Sequence, residues 1–328
     1  MKIMERKYIS KNGVIERTRY VAGDNAKPRR GKRRGNTTFR KQEQNFNAAH
    51  RRVARILNCN YTHENGLLLT LDYDVKGFEM LVESLAETDR QTIRELRAPV
   101  GEIGTWRSGK QAGRTPEEDR ACKRRVESPR PTLVSKTEDI AEEENGTGES
   151  GNAEALNRLR DAADKQMSLW LRRVKRKFCA DGKKIKALLV TSDIDHETGE
   201  LVRVHHHIVL AAEGISWDLL RREWKNGSVD IRQLRAQADY TPVATYLMRQ
   251  VRRQPDRKKY RVTQGMEMPV TEERVVLSHA EIKAPAGATV LERSEFSSDC
   301  LGQYIRYVPR KREYRRKRTA EWKEESGG

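Results

Sequence analysis

Residues 201–210 read LVRVHHHIVL, an apolar segment with three consecutive histidines at its centre. Alternate side chains of a β-strand share a face, so His205 and His207 point to one face and His206 points to the other. Two imidazoles on one face, about 6–7 Å apart along the strand, can converge on one divalent ion. The competing interpretation is an ordinary strand whose histidines face solvent or make structural hydrogen bonds. On spacing alone both interpretations stay open.

The segments around this strand predict an antiparallel sheet. Residues 185–193 form a second apolar run, and the intervening residues 195–200 have turn composition, so the two runs predict a hairpin. Residues 66–73, GLLLTLDY, predict a further buried strand. Residues 229–234 can form another. The predicted fold class is therefore α+β, with an antiparallel sheet backed by helices.

Four helices are predicted from apolar spacing and end signals. They cover residues 78–97, 156–178, 217–225 with Ser216 as N-cap, and a segment from Thr241-Pro242 to about residue 253. The helix over 156–178 has a basic end that contains Arg172, Arg173, Lys175 and Arg176.

The charge of the chain indicates a polyanionic partner. The 328 residues include 66 Lys+Arg against 48 Asp+Glu, a formal net charge of +18, and the sequence pI is about 9.8. Basic runs at 27–34 and 310–318 predict flexible arms that bind nucleic acid through a salt-sensitive force. The alternative is a pair of solubilising tails. No apolar run approaches the ~18 residues of a spanning helix, and no secretory signal is recognisable, so we expect a soluble, cytoplasmic protein without a membrane partner.

A second pair of residues suggests phosphodiester chemistry. Tyr246 and Arg249 are three residues apart on the predicted helix that starts near Thr241, so their side chains share a face, which Arg253 continues. A guanidinium can bind phosphate oxygens while the phenol lies near the same linkage. Taken alone, a tyrosine on an amphipathic helix more often packs at the boundary of a core.

The order of these segments resembles the HUH endonucleases, and among them the rolling-circle replication initiators of bacterial phages and plasmids. The resemblance lies in the strand Leu69 to Tyr73, the His-x-His strand His205 to Leu210, and the helix with Tyr246 and Arg249. It covers most of residues 40–309 apart from an acidic, Gly- and Ser-rich insert at about 99–152. It implies three regions: a basic N-terminal extension (1–60), an HUH nuclease domain (61–309) with an RRM/ferredoxin-like palm, and a basic tail (310–328).

The resemblance also implies a reaction. His205 and His207 would bind Mg²⁺ or Mn²⁺, and Tyr246 would attack the DNA backbone to give a 5′-phosphotyrosine and a free 3′-hydroxyl. The enzyme would nick one strand at a specific site and start rolling-circle replication in the cytoplasm of a bacterial host. Its partners would be single-stranded or melted origin DNA and the host helicase and polymerase. DNA would be held by basic residues on two helices: Arg249, Arg252, Arg253, Arg172, Arg173, Lys175 and Arg176.

Several positions depart from the family pattern. Relatives often carry an acidic ligand on the strand before the histidines, and here the available carboxylate is Asp193, which reaches the correct face only if the strand end has a bulge. Otherwise Ser192 or water completes the ligand set. His206 occupies a position that is usually apolar, so we assign it to packing or DNA contact. Arg249 replaces a lysine and is expected to bind phosphate and to lower the pKa of Tyr246. Tyr240 is a minor alternative nucleophile.

The same residues leave two alternative functions open. Nicking chemistry of this kind also serves relaxases and transposases, which cut DNA for mobilisation or transposition. A non-catalytic, basic nucleic-acid-binding protein would also explain the charge and the departures from the family pattern.

Overall fold

Two five-stranded antiparallel sheets and six α-helices make up the part of the chain that the structure describes. The computed structural model describes residues 2–22, 39–97, 148–194, 201–251, 257–276, 281–296 and 302–310. The predicted α+β class, with antiparallel strands backed by helices, is confirmed. The prediction of one sheet is incomplete, because strands from both ends of the described chain build a second one.

The central sheet contains the histidine strand. Its order is β6-β3-β5-β4-β7, so the histidine strand β5 lies in the middle between β3 and β4. Every neighbouring pair is antiparallel. The strands are β3 (Gly66–Tyr73), β4 (Lys186–Ile194), β5 (Leu201–Ala211), β6 (Gly227–Gln233) and β7 (Arg261–Val262).

The second sheet, called here the terminal sheet, has the order β8-β1-β2-β10-β9. Its strands are β1 (Lys2–Ile9), β2 (Ile15–Ala22), β8 (Val270–Val276), β9 (Thr289–Phe296) and β10 (Gly302–Val308). Residues 1–60, which we predicted to be a basic extension, therefore contain two strands and a helix of the fold. The basic run at 27–34 lies outside the described residues, and so do residues 311–318 of the second run.

The six helices are α1 (Phe39–Asn60), α2 (Val75–Glu83), α3 (Glu87–Arg97), α4 (Gly148–Phe178), α5 (Trp217–Glu223) and α6 (Thr241–Arg249). The helix predicted over 78–97 is in fact two helices, because the Ser84 backbone and hydroxyl both donate to the Leu81 carbonyl and end α2. Helix α4 begins at Gly148, inside the predicted insert, whose residues 99–147 lie outside the described part. Helix α6 ends at Arg249 rather than near 253. No helix in the described ranges has the length and apolarity to cross a membrane.

Each face of the central sheet is covered by its own helices. The face here called the α4 face carries Leu69, Leu71, Ile208 and Leu210, which pack against Trp170 and the rest of α4 with α2, α3 and α5. The opposite face, called the α6 face, carries Leu188, Val190 and Val209 and packs against α1 and α6. Burial on both faces explains why β3, β4 and β5 have nearly continuous apolar runs. His205 and His207 have the strand parity of Val209 and therefore belong to the α6 face.

A buried carboxylate stabilises the terminal sheet. Glu5 on β1 is 2% exposed and accepts hydrogen bonds from the guanidinium groups of Arg17, Arg19 and Arg274. Burial by itself raises the pKa of Glu5, but the hydrogen bonds and charges of these arginines outweigh it and lower the pKa to about 2. Strands this rich in charge are therefore stable because the charges neutralise one another across the ladder.

We expect Glu5→Gln to destabilise the protein at neutral pH by about 3 kcal/mol. The folded pKa lies below the value of 4.5 for the free group, so the carboxylate contributes its full stability above that pH and loses it as the pH falls towards 2. Denaturant unfolding at pH 7 and at pH 3 measures this difference, which should shrink at the lower pH. Glu273→Gln, which removes the partly exposed partner of Arg6, is the control and should change stability by less than about 1 kcal/mol. An equal effect of both substitutions would contradict the role of Glu5.

Candidate functional site

The two histidines on the α6 face point their ring nitrogens at each other. The Nε2 atoms of His205 and His207 are 3.1 Å apart. The Nδ1–H of His205 donates to the Arg203 carbonyl at 2.9 Å, and Nδ1 of His207 lies 3.4 Å from the Thr70 hydroxyl. Because the Nδ1 proton of His205 is donated to a backbone carbonyl, the lone pair of the neutral ring lies on Nε2. Metal-binding histidines have this arrangement.

This spacing fits two ligands of one cation. Metal–nitrogen bonds of about 2.1 Å meeting at a right angle place the two nitrogens about 3.0 Å apart, as octahedral coordination requires. Two neutral imidazoles that both direct a lone pair into this space would repel each other. The repulsion is absent when a cation lies between them or when one of the two nitrogens carries a proton. The distance therefore fits either two imidazole ligands of one divalent cation or a hydrogen bond between the two rings.

The position of Asp193 gives less support to its predicted role. The pairing of β4 with β5 shifts between Ser192 and Ile194, so the strand end has the irregularity that the prediction required. Asp193 is 2% exposed. Within the described ranges, however, no three His, Cys, Asp or Glu side chains form a group that could hold a metal. Neither Asp193 nor another carboxylate of these ranges is thus assembled with the two imidazoles, and the assignment of Asp193 as a ligand stays a prediction. The Ser192 hydroxyl donates to the Ile194 carbonyl at 3.1 Å.

Two other carboxylates share the α6 face with the histidines. Asp72 on β3 is paired directly opposite His205, and Asp230 on β6 is paired with Thr70, which itself lies opposite His207. Directly paired residues point to the same face with Cβ atoms about 4.5–5.5 Å apart. Neither carboxylate was predicted from the sequence. The alternation of Asp72 with Leu71 and Tyr73 was a usable signal, because it turns Asp72 away from the apolar face of β3.

Tyr246 lies beside the histidine pair. Its ring centroid is 5.2 Å from that of His207, in an edge-to-face arrangement, and its side chain is 38% exposed. Arg249 is also exposed, and both residues line one open groove. Tyr240, the alternative nucleophile, is 3% exposed, and its hydroxyl donates to the Arg235 carbonyl at 3.3 Å. The structure thus brings Tyr246, and not Tyr240, to the imidazoles.

The prediction that Arg249 lowers the pKa of Tyr246 is wrong. The pKa of Tyr246 is raised, first by burial and further by the charges of Asp72 and Asp230, while Arg232 opposes the shift. Arg232 was not among the predicted site residues. It lies on β6 two residues from Asp230, and its Nε donates to that carboxylate at 2.9 Å. The neutral phenol is therefore favoured until positive charge is added to this face.

His206 is a packing residue on the α4 face. Packing was one of the two roles predicted for it, the other being DNA contact. It is fully buried, and burial lowers the pKa of its ring well below the ordinary value, so it is neutral. Its Nδ1–H donates to the Thr191 hydroxyl at 2.9 Å, and that hydroxyl donates to the Asp164 carboxylate. The Tyr73 hydroxyl is 3.3 Å from Nε2 and can donate to it. All polar atoms of this buried ring thus have partners.

The basic residues predicted to hold DNA are divided between the two faces. Arg172, Arg173, Lys175 and Arg176 lie on α4, which covers the face opposite to the histidine pair. The Arg173 guanidinium donates to the Glu223 carbonyl at 2.9 Å. Arg252 and Arg253 lie outside the described residues. Of the predicted DNA contacts in the described part of the chain, only Arg249 is therefore placed beside Tyr246.

Comparison with protein-family models, with curated proteins and with solved structures finds no match to this chain.

Proposed function

We propose that this chain is a metal-dependent tyrosine endonuclease that nicks one DNA strand at a specific site, transfers the strand end, and starts rolling-circle replication. The observation that carries the proposal is the Tyr246 ring packed against His207, whose Nε2 lies 3.1 Å from that of His205. These contacts support the proposal because a phenol lies next to two imidazoles that could serve as metal ligands, on a basic protein.

Each of these residues has a defined role in the proposal. His205 and His207 would hold Mg²⁺ or Mn²⁺, and a bound ion would supply positive charge that polarises the scissile phosphate and offsets the negative charge around the phenol. The Tyr246 oxygen bonds to the phosphorus and loses its proton, while the bond to the 3′-oxygen breaks and that oxygen takes up a proton. The downstream strand stays on the tyrosine as a 5′-phosphoester. Arg249 binds phosphate oxygens beside the reacting linkage. The hydroxyl left on the upstream strand can prime a host polymerase. We place this reaction in the cytoplasm of a bacterial host.

The decisive test is covalent capture of DNA by the purified full chain. Single-stranded oligonucleotides that tile candidate origins, labelled at either end, are incubated with Mn²⁺ or Mg²⁺ and separated on a denaturing gel. We expect the 3′-label to migrate with the protein and the 5′-label to remain on a fragment that a polymerase extends. A chelator should abolish both products. If no oligonucleotide gives a protein-linked band with either metal, the proposed function is wrong.

Asp72, which is paired directly opposite His205 on the neighbouring strand, gives a separate prediction. A rotamer change can bring the Asp72 carboxylate towards the imidazoles, since both side chains project from directly paired positions of one face. We expect Asp72→Asn to weaken Mn²⁺ binding by at least about 10-fold. Asp193→Asn is the matched variant and should change the affinity by less than about 3-fold. Titration calorimetry measures both values, and the reverse order of effects would return the ligand role to Asp193.

A further inference from the structure

A groove beside Tyr246 joins the α6 face to the terminal sheet. It is open, has a volume of about 360 Å³, and is lined by Thr241, Pro242, Thr245, Tyr246, Arg249 and Arg306. Five of these residues belong to α6, but Arg306 lies on β10 of the terminal sheet. Strands from the two ends of the described chain therefore contribute to the surface next to the candidate nucleophile.

The lining of the groove is suited to an anion. It contains two guanidinium groups and three hydroxyls, those of Thr241, Thr245 and Tyr246, and none of its residues is acidic. Arg306 is oriented by Glu292, 3.2 Å from its Nη1, and by Asp239, 3.5 Å from its Nε. The Arg306 side chain is 12% exposed, and its buried Nε does not face the groove, so a ligand there would contact the Nη groups. Arginine has five N–H donors, so two carboxylates do not use up its capacity to bind phosphate.

Three arginines lie around one side of the groove, and the two carboxylates that pair with Arg306 offset part of their charge. His50 on α1 approaches the groove residue Thr245, with 2.9 Å between its Nε2 and the Thr245 hydroxyl. Burial lowers the pKa of His50, and the charges of Arg306, Arg51 and Arg249 lower it further. Arg51, Arg249 and Arg306, from α1, α6 and β10, thus lie close enough to His50 for their charges to act on it beside the groove.

We infer that this groove binds the sugar-phosphate backbone of single-stranded DNA next to the linkage attacked by Tyr246, with Arg249 and Arg306 as phosphate ligands. The terminal sheet is then part of the substrate-binding surface. The inference rests on the proposed function for the identity of its ligand, but its test does not require cleavage.

The test measures binding in the full chain with Tyr246→Phe, so that no adduct forms. Fluorescence anisotropy with a labelled single-stranded oligonucleotide is recorded over a series of salt concentrations. Adding Arg306→Ala should weaken binding by about 5- to 10-fold at low salt. It should also reduce the slope of log affinity against log salt by about 0.7, the value for one phosphate contact on a single strand.

The control is Arg293→Ala, which removes a guanidinium from β9. Arg293 is paired with Ile305 and donates to the Ile282 carbonyl, so it lies on the face opposite to Arg306. This control variant should change DNA affinity by less than about 2-fold.

A second variant covers the case in which Arg306→Ala unfolds the terminal sheet. Pro242 is exposed in the first turn of α6, where a carboxylate is favoured by the helix dipole, so Pro242→Glu should keep the fold and place negative charge in the groove. We expect it to weaken DNA binding by at least about 5-fold. Thymidine monophosphate is added as a competitor, and it should displace little of the strand.

Unchanged affinity in both Arg306→Ala and Pro242→Glu would overturn the inference, and so would full displacement by the mononucleotide, which would assign the groove to free nucleotides. These results are distinct from failure of the proposed function. If the wild type captures DNA while both groove variants bind normally, only the groove is wrong. If the variants lose affinity while the wild type never forms an adduct, the groove is still a DNA-binding site, but the proposed nuclease activity is wrong.

Discussion

Replacing Tyr246 by Phe should reduce formation of the protein–DNA adduct by at least about 1,000-fold, because the phenol oxygen is the atom that bonds to phosphorus. The loss should occur without a comparable change in stability. The ring is 38% exposed, and its edge-to-face contact with His207 does not need the hydroxyl. DNA affinity should also be nearly unchanged, since the groove keeps Arg249 and Arg306. The measurement is the initial rate of band formation on a denaturing gel with saturating Mn²⁺.

Tyr240→Phe is the matched control for this substitution. It removes a hydroxyl from the N-cap residue of the same helix, but Tyr240 is only 3% exposed and its hydroxyl donates to the Arg235 carbonyl. We expect full adduct formation and a loss of stability of about 1 kcal/mol. An active Tyr246→Phe protein together with an inactive Tyr240→Phe protein would transfer the nucleophile to Tyr240 and reject the proposed geometry.

His205→Ala should weaken Mn²⁺ binding by at least about 100-fold and abolish cleavage under conditions where the wild type is saturated with metal. The Nε2 atoms of His205 and His207 face each other at 3.1 Å, so neither imidazole alone reproduces the pair. Without metal, we expect the variant to lose no more than about 1 kcal/mol of stability, because it removes a single contact between the two Nε2 atoms. Adding Mn²⁺ should then raise the melting temperature of the wild type only. Calorimetric titration and thermal melting measure the two effects.

The control for metal binding is His63→Ala. His63 is exposed in the turn before β3 and is placed with Glu64 rather than with the histidine pair. This variant should bind Mn²⁺ and cleave DNA like the wild type. If His205→Ala retains wild-type affinity for Mn²⁺, the histidines are structural and the metal-dependent mechanism fails.

The candidate site was predictable where local periodicity decides which way a side chain points. Strand alternation alone separated His206 from His205 and His207, and the structure buries His206 on the opposite face. The three-residue spacing on a helix likewise put Tyr246 and Arg249 on one surface. Such relations are fixed by backbone geometry within a single element and need no knowledge of the partners of that element.

The remaining site residues depend on how separate elements meet. Asp72 belongs to a recognisable motif but was not assigned to the site, because the register of β3 against β5 is not visible in either strand. Arg306 is about sixty residues from Tyr246 in the chain and reaches it only through the terminal sheet. The basic end of α4 was expected near the DNA, yet the helix covers the other face, since its apolar stripe packs on Leu69 and Ile208.

The sequence by itself determined the α+β class, the central strands and most helices, and the pairing of two imidazoles on one strand face, because hydrophobic period and turn composition act over a few residues. Only the tertiary structure decided that charged N- and C-terminal segments form a second sheet, that Asp72 and Asp230 share the face of the histidines, and that Arg306 lies beside Tyr246. Those outcomes depend on contacts between residues far apart in the chain. The free energy of such contacts comes from burial and charge neutralisation across the interface, as for Glu5 among its three arginines, and local patterns do not encode which distant partner supplies it.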